Sequence, residues 1–192
     1  LLLVICAADS LRDLRDRAIL IVAFASGRRR RSEIAGLRCE QLTVEAPIEV
    51  TDGPPLPSLA IHLGRTKTSS GEEDDIVYLT GRPAEALDAW MTAARIESGS
   101  VFRAIGRWGT VSCRALDPQS VNAIIKQRAE MAGLDSGEFS AHGLRSGYLT
   151  EAANRAIPLP EAMEQSRHRS VQQASSYYNN ATRRSGRAAR ML

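Results

Sequence analysis

The sequence predicts an α+β fold, mainly α-helical, with its strands confined to residues 42–80. Hydrophobic residues make up 43% of the 192-residue chain but aromatics only 5%, so the core is built from aliphatic side chains and alanine, which favours helices. Outside residues 42–80 apolar positions recur mostly at three- and four-residue intervals, whereas inside them short runs of strand composition alternate with Gly, Pro and acidic turns. A chain of this length can bury one substantial core.

Taken in order, residues 1–8 are apolar but too short to span a bilayer, and they lack a basic leader. They read as the end of a packed helix or a linker, and nothing points to a membrane. The first residue is Leu rather than Met, which suggests a fragment. Ser10 and Asp13 have the spacing of a capping box, with Asp in place of Glu. Leu11, Leu14, Ala18, Ile21, Val22 and Ala25 then form one stripe, predicting a helix over 11–25 that Ser26-Gly27 ends. A second short helix begins within residues 28–37.

Strand composition follows at residues 42–45 and 48–50, then a Pro-rich loop at 52–57. Residues 59–63 and 75–79 read as an antiparallel pair whose polar turn carries Lys67. Pro83 opens a helix with Leu87, Trp90, Met91 and Ala94 inward and Gly99 at its end. Residues 100–116 show little periodicity and read as a loop. Asp117-Pro118 caps a helix that buries Val121, Ile124, Ile125 and Met131, and Gly133 closes it. Ser140 caps the next helix, Pro158 and Pro160 start a short one through Met163, and Ser170 is a good N-cap for a last helix containing Tyr177 and Tyr178. The tail, residues 179–192, is Arg-rich.

The chemistry gathers around Ser140. His142 and Arg145 stand three apart at the start of that helix, so both positions share one face near backbone N–H groups that favour an anion. An imidazole and a guanidinium together there suit a phosphate. Four consecutive arginines, Arg28 to Arg31, advance by roughly 100° each on a helix and cannot share a pocket. They suit a solvated basic edge, or a site that keeps Arg30, with Glu33 three residues on to orient it. Of the 25 basic residues only Lys67 and Lys126 are lysines. A lysine can surrender its proton where an arginine cannot, so Lys67 on a hairpin is either a surface side chain or an acid. His168 and Tyr177 are brought together if the chain turns at Arg169-Ser170 before the helix restarts. The net charge of +3 and pI near 9.0 permit a nucleic-acid partner without requiring one. Three widely spaced cysteines and three scattered histidines form no zinc site and read as reduced intracellular thiols and isolated imidazoles.

In chain order the candidates are Arg30, Lys67, His142, Arg145, His168 and Tyr177. This set resembles the tyrosine recombinase (phage integrase) family. Arg30-Arg-Ser-Glu33 is similar to the family's R-x-S-E box, Thr66-Lys67-Thr68 to its T-K-T hairpin and His142-Gly-Leu-Arg145 to its H-x-L-R box. His168 and Tyr177 stand nine apart, the family's usual spacing, which selects Tyr177 over Tyr178. One position departs: the family usually has Gly where Arg28 stands.

The resemblance implies a catalytic domain over 1–192 with a small three-stranded antiparallel sheet, lacking the N-terminal core-binding domain. It implies a site-specific recombinase or integrase that acts on double-stranded DNA through a 3′-phosphotyrosyl intermediate, with no cofactor, metal or ATP. Tyr177 would be the nucleophile, Arg30 and Arg145 the phosphate grip and His168 a further donor. Lys67 would be the general acid, His142 an acid/base or positioning partner, and Glu33 the support for the arginine. A homotetramer on DNA and a cytoplasmic, nucleoid-associated location in a bacterium or phage host are implied as well, while the short Arg-rich tail predicts that this fragment is a monomer in solution. Two other readings are a type IB topoisomerase-like enzyme and a DNA-binding protein that has lost catalysis.

Overall fold

The Ser10 cap operates as its spacing predicts. In the computed structural model, which describes Cys6 and residues 8–26, 31–63, 75–166 and 170–182, helix α1 is Leu11–Ala25. The Ser10 oxygen accepts the Asp13 backbone N–H at 3.2 Å, and its hydroxyl donates to the Asp13 carboxylate. That carboxylate also meets Arg128 at 2.7 Å. Burial works against its ionisation, but the bonds from Ser10 and Arg128 prevail and hold the Asp13 carboxyl below the usual range. A carboxyl depressed in the folded state stabilises fully above its unfolded value, about 3.9, and loses that contribution as pH falls through the folded value. Asp13→Asn should therefore flatten the acid limb of a stability-versus-pH curve below about pH 4, with little change in its slope near neutrality.

Helix α2 is short, Arg31–Ala35, and buries Ile34 and Ala35. The chain then docks through backbone bonds from Cys39 N–H to Gly99 O and from Val101 N–H to Leu37 O, each 2.8 Å. The Glu40 carboxylate accepts the Gly99 N–H at 2.8 Å, which lowers its pKa.

Strands β1 (Leu42–Ile48), β2 (Leu56–Leu63) and β3 (Asp75–Thr80) form the expected three-stranded antiparallel sheet in the order β1-β2-β3. A register shift between Glu45 and Ile48 interrupts the edge strand β1 at Pro47, which has no N–H to offer a neighbour. Leu59, Ile61 and Leu79 turn into the core. Gly81 leads from β3 into helix α3 (Arg82–Ala93) at φ 68°, ψ −130°, a combination closed to residues with a Cβ.

Helix α3 buries Leu87 and Trp90 as predicted, and the indole N–H donates to Val101 O at 2.9 Å. Its end is earlier than expected. Arg95 takes a left-handed φ of 52° and the Ile96 N–H bonds Met91 O, so the helix closes at Ala93 rather than Gly99. Residues 100–116 are not a plain loop: β4 (Arg103–Ile105) and β5 (Val111–Ala115) pair around Gly106-Arg-Trp-Gly109. Strands this short leave no readable period.

Helix α4 (Pro118–Met131) is capped by the Asp117 carboxylate, which accepts the Gln119 N–H at 2.7 Å. Val121, Ile124 and Ile125 are buried, but Met131 at the last position is 57% exposed because the helix has left the core there. Gly133 closes the helix at φ 70°. Between α4 and α1 lies a buried ion cluster. Arg128 donates to Asp16 Oδ2 from Nε at 2.9 Å and from Nη2 at 2.7 Å, while Arg15 Nε reaches Oδ1 at 2.9 Å.

Helices α5 (Ala141–Asn154), α6 (Leu159–Ser166) and α7 (Val171–Thr182) follow. The last helix thus runs into the stretch expected to be tail. These three share a small second core of Leu149, Ala152, Ala162 and Ala174, apart from the main core between α1, α3, α4 and the sheet. Helix α5 ends with Ala156 at φ 56°, Ile157 N–H bonding Ala152 O. A Cβ in that conformation is strained where Gly would be at ease, so Ala156→Gly should raise stability by up to ~1 kcal/mol, read from the urea midpoint.

Candidate active site

Ser140 starts α5 as predicted, its side chain accepting the Gly143 N–H at 3.0 Å from an extended backbone, φ −155° and ψ 164°. His142 and Arg145 therefore fall in the first two turns of α5, three positions apart. The helix is set on the body of the protein by Tyr148, whose ring meets Phe24 of α1 edge-on at 5.8 Å.

Ser170 likewise restarts the chain. Its hydroxyl oxygen accepts the Gln173 N–H at 3.2 Å and its carbonyl the Ala174 N–H at 3.1 Å, and α7 folds back along α5. Four tyrosines are available to attack a phosphate, and their settings differ. Tyr78 lies on β3, half exposed. Tyr148 is packed in, and burial, with the Glu161 carboxylate second, raises its phenol above the ordinary value. Tyr178 donates its hydroxyl to Ile157 O at 2.6 Å. Tyr177, half-buried at the edge of the second core, has no hydrogen bond to its hydroxyl among the described residues.

Two anchors in this region were not singled out from sequence. Gln165 on α6 donates from Nε2 to Ala25 O at 3.0 Å and to Tyr78 O at 2.7 Å, joining α6 to the end of α1 and to β3. Tyr178 joins α7 to the α5–α6 turn. Neither has a local pattern to betray it, since the partners are backbone carbonyls 140, 87 and 21 residues away.

Arg30, Lys67 and His168 lie outside the described residues, as does Arg28. Lys67 belongs to the stretch between β2, which ends at Leu63, and β3, which starts paired with it at Asp75. Glu33 stands in the first turn of α2, on its exposed side. The third histidine, His62, is occupied in the sheet, Nε2 lying 3.0 Å from Thr43 Oγ1. A cleft of about 650 Å³ opens between the end of α1, β3 and helices α5 and α6. Glu161 and Glu164 line it, together with Glu151, which is paired with Arg155 at 2.7 Å.

Helix α7, bearing Tyr177, packs along α5, bearing His142 and Arg145, and α6 ties this pair to β3 through Gln165. The chain belongs to the phage integrase family, whose model matches residues 2–184. It is 31% identical over 186 residues to an integrase/recombinase XerD homolog of Selenomonas ruminantium, covering 92% of this chain and 52% of that protein. The chain thus spans about half the length of the curated relative it matches. Among solved structures, the XerH site-specific recombinase bound to palindromic difH substrate, in a post-cleavage complex, superposes with TM-score 0.68 at 18% identity, over 99% of this chain and 50% of that one. The XerA recombinase gives 0.68 at 17%, over 100% and 61%. At these identities the likeness is one of fold.

Proposed function

We propose that residues 1–192 form the catalytic domain of a site-specific recombinase that cuts and rejoins double-stranded DNA through Tyr177. The observation that carries this reading is the contrast along α7: the Tyr178 hydroxyl is engaged by Ile157 O, while that of Tyr177 has no partner among the described residues.

In this mechanism Tyr177 Oη attacks the scissile phosphorus, a 3′-phosphotyrosyl bond forms and the bond to O5′ breaks. The phenolic proton passes to His142, and Lys67 gives a proton to the leaving 5′-oxygen. Arg30 and Arg145 hold the nonbridging oxygens with planar forks, His168 donates a further hydrogen bond, and Glu33 orients Arg30. The new ester conserves the energy of the broken one, so neither ATP nor a metal enters the scheme. Attack by the 5′-hydroxyl of another strand on the phosphotyrosine completes exchange.

Duplex DNA is the partner, met as a homotetramer, with residues 1–192 by themselves monomeric in solution. The bacterial or phage-host cytoplasm, at the nucleoid, is its place of action. Incubation with nicked duplex carrying a target site, in EDTA and without ATP, tests the reading. Formation of a covalent protein–DNA adduct is expected. Cleavage that needs a divalent metal, or only noncovalent binding, would contradict it. Relaxation of supercoiled plasmid without strand exchange would favour the topoisomerase-like alternative.

A further inference from the structure

Among its described residues helix α7 gives the second core one fully buried side chain, Ala174, and one partly buried ring, Tyr177. Of the four fully buried members of that core three are alanines. A methyl group contributes on the order of 0.8 kcal/mol, so burial alone leaves the rotation of this helix weakly defined. The Tyr178 hydroxyl supplies what packing does not, with its 2.6 Å bond to Ile157 O across 21 residues. The receiving turn is stiff. Ala156 is fixed in a left-handed conformation, Ile157 N–H is bonded to Ala152 O at 2.9 Å, and Pro158 follows.

We infer that Tyr178 is a positioning residue for strand cleavage, its hydroxyl pinning α7 in the rotation and register that present the neighbouring Tyr177 to the phosphate. This rests on the reading of Tyr177 as the nucleophile. Attack in line on phosphorus tolerates little error, and a misplacement of about 1 Å costs roughly 100-fold in rate. Removing this one hydroxyl, which is engaged with Ile157 O, should then slow the chemistry while leaving DNA binding untouched.

The test compares wild type, Tyr177→Phe and Tyr178→Phe in single-turnover cleavage of a nicked duplex that traps the adduct. It is paired with DNA affinity, thermal midpoint and hydrogen exchange of the α7 amides. For Tyr178→Phe the expected result is a rate constant lower by roughly 10- to 100-fold, with the adduct yield, Kd and midpoint of wild type. The α7 amides should exchange faster relative to those of α4. A wild-type rate, or wild-type exchange in α7, overturns the inference. So does a fall in yield and midpoint with no change in rate constant, which marks a purely structural bond. Adduct formation by Tyr177→Phe instead sinks the nucleophile assignment. If Tyr178→Phe were then the inactive variant, Tyr178 would be the nucleophile. Absence of any adduct from wild type removes both readings.

Discussion

Tyr177→Phe should abolish covalent capture of DNA, a loss on the order of 10⁴-fold or more, while DNA affinity stays within about twofold of wild type. Affinity for a duplex comes mainly from cationic contacts to phosphates, which the substitution leaves in place. The thermal midpoint should hold too, since the ring of Tyr177 keeps its place at the edge of the second core and its hydroxyl bonds no described residue. Tyr178→Phe should behave differently, still forming the adduct but more slowly. The pair therefore separates the chemical phenol from the anchoring one within two adjacent residues. Unchanged capture by Tyr177→Phe would show that another group attacks.

The largest effect on stability is expected from Asp16→Ala. Asp16 is 3% exposed, and its two oxygens receive Arg15 and Arg128, themselves 9% and 6% exposed. Removing the carboxylate strands two guanidinium groups out of water with only part of their partners left. Breaking a buried pair in this way costs about 3–5 kcal/mol, a large share of the roughly 5–15 kcal/mol that holds a domain folded. The urea midpoint should fall accordingly with an unchanged slope. The functional consequence follows from position. The cluster joins α1, whose C-cap Ser26 stands four positions ahead of Arg30 in the sequence, to α4, which packs against both α2 and α5. Loss of cleavage in Asp16→Ala should accordingly track the unfolded fraction and recover on cooling. A midpoint that does not move would mean that water already shields the cluster.

What could be read from the sequence was what depends on neighbours in the chain. Ser10, Asp117, Ser140 and Ser170 each act as the cap their spacing predicts, because capping is settled within three or four residues. The full three-stranded sheet was what the family resemblance implied. The order of helices followed from the caps and from periodic runs, and the β2–β3 pair from two strand-like runs about a polar turn. The β4–β5 hairpin did not, since three- and five-residue strands carry no signal above a loop. Met131 misled because helical spacing says which face a residue shares, not where the core ends. The six candidate residues form a pattern in the sequence; the two capped helices bearing His142, Arg145 and Tyr177 form as expected, while Arg30, Lys67 and His168 lie outside the described residues. The supports were not legible. Asp16 with Arg128, Gln165 with Tyr78 and Tyr178 with Ile157 join residues 112, 87 and 21 apart, and no local pattern records such a meeting.

The most direct measurement is mass spectrometry of the trapped adduct after nuclease and trypsin. Cleavage at Arg169 and Arg183 releases residues 170–183 as one peptide containing both Tyr177 and Tyr178, and fragmentation distinguishes them. A nucleotide joined through its 3′-phosphate to Tyr177 is the predicted result. A nucleotide on Tyr178 or on any serine, or a linkage through the 5′-phosphate, would contradict the proposed reaction.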